Sequence, residues 1–188
     1  MVDIQLVTNQ AELEGVLDLQ QANLRKNITE DEAESQGFLM AEYDLAFLAL
    51  LHKASPGIIA KDGEKVVGYS LVAIPKTARH HELLADLVEN IERCHFEGKP
   101  VENYAIVAQL CVSKEYRGQD LVQKLYGGFR DHYANQFTYC VTDVAQANHR
   151  SLKAHQKRGF QVIDTLDYGG IGWNIVLWDW QKKATQES

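Results

Sequence analysis

Apolar positions along the chain alternate between helical spacing and continuous runs suited to buried strands. Residues 4–8, IQLVT, form a short apolar run, and Leu13, Val16, Leu17 and Leu24 then recur on one face. That pattern predicts a strand followed by a helix over 10–26. Thr29 with Glu32 three residues later marks a second helix start, and Tyr43 to Leu51 is a further helical stretch. Residues 57–74, GIIAKDGEKVVGYSLVAI, read as a hairpin turning at KDGEK. Leu83, Leu84, Leu87, Val88 and Ile91 set a helix over 80–95. YAIVAQLCVS (104–113) is a buried strand. Leu121, Leu125, Phe129 and Tyr133 line one face of a helix over 120–134. A strand over 137–144, a helix over 148–158 stopped by Gly159, and strands over 160–167 and 172–180 complete the order. Pro56, Pro75 and Pro100 fall between these segments.

Strands alternating with helices predict an α/β layered fold, and the early hairpin makes its sheet mixed. No repeat, low-complexity tract or linker interrupts the 188 residues, which read as one domain over 1–188. The run IGWNIVLWDW fits either a core strand or an edge strand through which two copies pair, so a homodimer is one expectation.

Charge narrows the partners. A net charge of −7 argues against nonspecific nucleic-acid binding and mildly favours a cationic substrate. Cys94, Cys111 and Cys140 are odd in number and form no CxxC pair; Cys111 and Cys140 lie in apolar runs. They read as buried, reduced core thiols, with no metal site assigned. With no signal peptide and no apolar run near the ~20 residues that span a bilayer, the expected location is the cytoplasm, with no membrane partner. Residues 27–44 hold Glu30, Asp31, Glu32, Glu34, Glu42 and Asp44. They read as a solvated helix face or as a rim that attracts an amine.

The chemistry concentrates in two segments. KEYRGQDLVQKLY (114–126) leads a loop into a helix N-terminus, where free backbone N–H groups and the helix dipole favour an anion, phosphate above all. Arg117 can add bidentate contacts, Lys114 a point charge, and Gly118 a close backbone approach. Asp120 stands against that role. It is a preferred N-cap and Gln123 follows three residues on, so its carboxylate is expected to take the same amides. A phosphate there would meet a like charge, roughly 4 kcal/mol at ~4 Å and an effective dielectric near 20. In NHRSLKAHQKRGF (148–160), Asn148, Ser151, Leu152, His155 and Gly159 share a helix face. Asn148 also reads as an N-cap and Gly159 as a C′ glycine.

Together these segments resemble the GNAT superfamily of acyl-CoA-dependent N-acyltransferases. LCVSKEYRGQDLVQKLY matches its strand, [QR]-x-x-G-x-[GA], helix motif, NHRSLKAHQKRGF its Asn, Tyr, Gly-Phe motif, and KDGEKVVGYSLV its second and third strands. The resemblance spans roughly residues 57–180, with a coenzyme-binding core over about 57–165 and acceptor-side helices over about 10–51. It implies a mostly antiparallel mixed sheet with a splay between the strands near 104–113 and 137–144. It also implies acetyl-CoA or another acyl-CoA as co-substrate and direct attack of an amine, small-molecule or peptide, on the thioester. By the same resemblance the coenzyme lies on Leu110, Cys111 and Val112 of the strand and on Arg117, Gly118, Gln119, Asp120, Leu121 and Val122 of the loop and helix. Asn148, Ser151 and His155 complete that set. An amide of Leu110 or Cys111 would stabilise the oxyanion, and His155, where the family has Tyr, would protonate the departing thiolate. Cys111 as an acyl-carrying nucleophile is disfavoured, because a buried apolar thiol is inert. Phe38 and Tyr43 would shape the acceptor pocket. Glu42, Tyr43, Asp143 and a water near Gln109 are the base candidates. Asp120 and Val122 replace the two small residues of the motif, and they support the alternative of a weakly binding, non-catalytic module.

Overall fold

The computed structural model describes residues 1–182. β1 (Val2–Leu6) begins two residues before the apolar run suggests. It pairs antiparallel with β2 (Ile58–Asp62), while Thr8 leaves the sheet to donate its backbone N–H to Glu12 at 2.7 Å. α1 (Gln10–Asn23) is capped by Asn9, and the chain then turns through a short 3₁₀ segment, Arg25–Asn27. α2 (Glu30–Gln36) starts at Thr29, whose hydroxyl accepts the Glu32 N–H as expected. α3 (Leu45–Ala54) starts later than its apolar pattern because Asp44 caps it, leaving Tyr43 outside the helix. β3 (Lys65–Ala73) completes the hairpin. A short helix not expected from the sequence, α4 (Pro75–Ala78), comes next; the helix read over 80–95 is α5 (Glu82–Ile91), shorter at both ends, and the chain then closes a small hairpin of β4 (His95–Phe96) and β5 (Lys99–Pro100).

The remainder follows the sequence pattern closely: β6 (Tyr104–Val112), α6 (Leu121–Tyr133), β7 (Tyr139–Ala145), α7 (His149–Arg158), β8 (Gln161–Tyr168) and β9 (Ile171–Asp179). The seven-stranded sheet has the order β1-β2-β3-β6-β7-β9-β8. β9 is paired on both sides, by β7 and β8. The run IGWNIVLWDW is therefore a core strand and offers no free edge to a second copy.

Within this sheet only β6 and β7 run parallel, and their pairing covers three positions, Tyr104–Tyr139 to Ile106–Val141. Beyond them the strands part, as the resemblance implied. The register of β3 against β6 steps from Leu71–Gln109 to Val72–Val107, so Ala108 is an extra residue. A bulge of this kind bends the strand and ends its pairing. The Thr142 hydroxyl donates to Val107 O at 2.7 Å near the point of parting.

Two cores lie on the two faces of the sheet. Tyr69, Ile106, Val141 and Ile175 pack with α1, α3 and α5 through Val16, Leu48, Leu84 and Leu87. Val107, Val144, Phe160 and Trp178 pack with α6 and α7 through Leu125, Phe129 and Leu152. The gap between β6 and β7 is thus a passage from one face to the other. Among the described residues no helix is long and apolar enough to cross a membrane.

Candidate active site

The mouth of α6 is open. Asp120 is its N-cap residue, but it sits in the left-handed region at φ 61°, ψ 20°, and no side chain caps the helix. The first backbone bond into the helix is from Lys124 N–H to Asp120 O at 3.1 Å, which leaves the preceding amides facing the cavity. The self-capping expected of Asp120 does not form. Left-handed geometry turns its side chain outward, where the carboxylate is 61% exposed and lies 3.5 Å from Lys157 Nζ. Asp is one of the few residues that enter this region, through local polar contacts. Gln123, the expected box partner, instead donates to Ala154 O at 3.1 Å and ties α6 to α7.

Glycine at this position should therefore matter little to affinity. Asp120→Gly removes one exposed, paired charge, worth below ~1 kcal/mol. Titration calorimetry should find CoA bound less than about fivefold more tightly. A gain far above that would mean the carboxylate obstructs the mouth after all.

The expected phosphate cations are engaged elsewhere. Arg117 donates from Nε to Val112 O at 3.3 Å and from Nη2 to Asn23 Oδ1 at 2.6 Å. Lys114 meets Glu32 at 2.5 Å. Both cations fasten the α1–α2 region to the loop. Arg117 nevertheless lines a cavity of about 400 Å³ at this mouth, together with Gly118, Asp120, Leu121 and Val122. Gly118 has φ 79° and open space where a Cβ would stand. Free amides, an unfilled glycine and a long cavity fit the diphosphate and arm of a coenzyme.

α7 supplies the opposite wall. Asn148 caps it, accepting the Ser151 N–H at 3.2 Å, and Gly159 ends it at φ 113°. Asn148, Ser151 and His155 line the cavity at the mouth and also a second one of about 110 Å³. His155 is 6% exposed. Its Nδ1 lies 2.7 Å from Ser151 O, a carbonyl that can only accept, so Nδ1 carries the proton. Nε2 then accepts the Tyr126 O–H at 2.5 Å. Burial pulls the imidazole down to about 4. The ring is neutral with both nitrogens occupied, a different state from the proton donor expected at this position.

The strand settles which amide faces the gap. Ser113 N–H donates to Val67 O at 2.8 Å, and Tyr69 pairs with Cys111. In an antiparallel ladder alternate residues turn the same way. The Cys111 amide is thus turned toward β3, while Leu110 and Val112 face the open edge; Val112 O meeting Arg117 agrees with this. Cys111 has its thiol pushed up to about 12 by burial, which leaves no thiolate for nucleophilic attack.

The smaller cavity follows the gap. Leu110 and His155 line it from the coenzyme side, and Asp143, Leu83 and Trp173 from the α5 side. Asp143 is half-buried, and burial, with Asp86 adding to it, raises its carboxyl to about 7. Phe38 lines both cavities. Tyr43 is different: it is buried in the core and donates its O–H to the bulged Ala108 O at 2.8 Å, while burial raises its phenol far above the ordinary value. It braces the bulge. Glu42 is held below the usual carboxylate range by Lys26 and Gln21 on the outer surface. Gln109 is likewise spoken for, accepting from Tyr69 and donating to Ala41 O at 2.7 Å. Tyr126, Thr142 and Trp173 join the site without any sequence signal, since each reads as an ordinary core position.

A family model described as the acetyltransferase (GNAT) family matches residues 16–160. No curated protein sequence matches the chain. Among solved structures it is similar to the ribosomal-protein-S18-alanine N-acetyltransferase from Escherichia coli, at TM-score 0.63 and 10% identity over 100% of this chain and 99% of that one. It is similar to yncA from Salmonella typhimurium, solved with its cofactor acetyl-CoA, at TM-score 0.62 and 12% identity over 100% and 98%. An acetyltransferase of the GNAT family from Streptococcus agalactiae gives TM-score 0.66 and 16% identity over 97% and 96%. At these identities the solved structures establish the fold.

Proposed function

The chain belongs to the GNAT acetyltransferase family, and we propose that it moves an acetyl group from acetyl-CoA to the amine of a small molecule or peptide that enters from the opposite face of the sheet. The observation that carries this reading is the passage between β6 and β7. It joins the uncapped mouth of α6 to a half-buried carboxylate on the α5 side.

When bound, the coenzyme supplies an activated thioester carbonyl. Leu121, Val122 and the loop before them offer backbone N–H groups to its diphosphate. The Leu110 N–H, at the open edge of β6, donates to the carbonyl oxygen as negative charge develops there. Asp143 takes a proton from the incoming ammonium, a task for which a value of about 7 suits it near neutrality. The second proton lost by the attacking nitrogen ends on the coenzyme sulfur. Ser151, which lines both cavities, would form part of the wall around the coenzyme's arm. His155 holds α7 to α6 from behind through Tyr126. Three free, buried cysteines support a reducing cytoplasmic setting.

The test is release of free thiol from acetyl-CoA in the presence of a panel of small amines, amino-acid amides and peptides. Amine-dependent release above the hydrolytic background is expected. A panel in which no amine accelerates release would sink the reading.

A further inference from the structure

We propose that Arg130 and Arg158 form a second anion site, in the groove between α6 and α7, that holds the 3′-phosphate of coenzyme A. The proposal rests on the coenzyme reading above and extends it to a part of the ligand that the α6 mouth does not reach.

Charge first distinguishes this groove from the rest of an acidic chain. α7 carries Arg150, Lys153, Lys157 and Arg158 and no acidic residue. Several cations near the mouth are already engaged: Lys114 by Glu32, Arg117 by Asn23, Lys157 by Asp120 and Arg150 by Ser35 O at 3.3 Å. Arg130 and Arg158 are not. Among the described residues neither has a carboxylate within ion-pair distance, and the buried Nε of Arg158 has no acceptor. Both guanidiniums instead stack on one indole, at 5.0 Å for Arg158 and 5.8 Å for Arg130 from the Trp178 centroid. Burial, then Arg130 beside it, pulls the Arg158 guanidinium below its ordinary value, against an opposing pull from Asp131 and Asp120. Two like charges pinned to one ring with donors to spare are arranged for a dianion, which would relieve their repulsion and accept their forks.

Position identifies that dianion. Gln123 meets Ala154 at the wall of the mouth, and one turn further along both helices an Arg158 nitrogen lies 3.5 Å from where a Gly127 Cβ would stand. The guanidinium thus lies across α6 at Gly127. The Arg158 guanidinium therefore lies about one turn, roughly 6 Å, beyond Gln123, and Arg130 approaches the same indole from about one turn further along α6. A ligand whose diphosphate rests on the α6 amides presents its next phosphate across a single ribose ring, and in coenzyme A that is the 3′-phosphate. Dephospho-CoA lacks this group and is otherwise the same molecule.

Titration calorimetry of CoA and dephospho-CoA into wild type, Arg158→Gln and Arg130→Gln tests the assignment. Wild type should bind CoA about tenfold more tightly than dephospho-CoA, the return on charge-assisted contacts to one phosphate. Each variant should bind the two alike, at the wild-type affinity for dephospho-CoA. Equal binding of both ligands by wild type overturns the arginine site and leaves the coenzyme reading standing; binding of neither brings down both. A preference that survives in the variants also overturns it. Should loss of the stacked Arg158 prevent folding, Arg130→Gln carries the test alone, since Arg130 lies farther from the ring and has no buried Nε.

Discussion

Replacing Asp143 by Asn should lower kcat/KM for the amine by about 100- to 1000-fold, the usual worth of a positioned general base, with CoA affinity retained. The asymmetry follows from placement. Asp143 lies on the α5 side of the passage, away from the mouth proposed to take the diphosphate. Its carboxyl stands at about 7 because burial, and then Asp86, disfavour the anion. Below that value the base is mostly protonated, so wild-type kcat/KM should rise about tenfold per pH unit and level off above pH 7. The amide of Asp143→Asn cannot titrate, so that inflection should vanish in the variant. Stability responds with the opposite sign to that of a paired carboxylate. The folded value lies above the unfolded one, so folding favours the neutral acid, and its contribution is complete below pH ~4 and lost as pH rises through 7. Asp143→Asn should therefore melt higher than wild type at pH 8 while being slower. A variant with an unchanged pH profile would remove Asp143 from the chemistry.

The residues that sequence made legible are those whose role is local. Thr29, Asn148 and Gly159 cap and stop their helices as their types demand. Leu121, Leu125, Phe129 and Tyr133 bury the face that their spacing draws. The residues it misjudged depend on one backbone angle or on remote neighbours. Asp120 carries the right side chain and spacing for a cap, yet φ 61° points the carboxylate away from the amides. His155 shows a titratable ring at a motif position, but only the fold brings the Tyr126 hydroxyl to its Nε2. Leu110 and Cys111 are equivalent as letters. A single bond from Ser113 to Val67 fixes the ladder phase that separates them. Asp143 is one of several unranked acids in the sequence; burial on β7 raises it, and surface ties on Glu42 remove its rival. The Ala108 bulge, which opens the passage, depends on register against β3, and no residue in β6 announces it.

His155→Ala should cost the fold about 3 kcal/mol at neutral pH, through the cavity it leaves and the Tyr126 hydroxyl it strands without an acceptor. The imidazole is buried between α6 and α7, with Phe160 edge-on at 5.1 Å. Its titration gives the prediction a second handle. Folding lowers the ring from 6.5 to about 4, so the unfolded chain binds a proton that the folded one refuses. The stability this contributes is complete above pH ~6.5 and is lost as pH falls toward 4, over an interval worth about 3 kcal/mol. Urea unfolding of wild type should show that loss between pH 6.5 and 4, and His155→Ala should lack that component. The same numbers bear on catalysis. With a value near 4, only about one ring in a thousand is protonated at pH 7, too few for imidazolium to serve as the main acid for the thiolate. Activity per folded molecule of His155→Ala should accordingly stay within about tenfold of wild type below its lowered melting temperature, with kcat and KM shifting together as the α6–α7 wall relaxes. A variant that unfolds like wild type yet loses its turnover would reverse the argument and return the proton to His155.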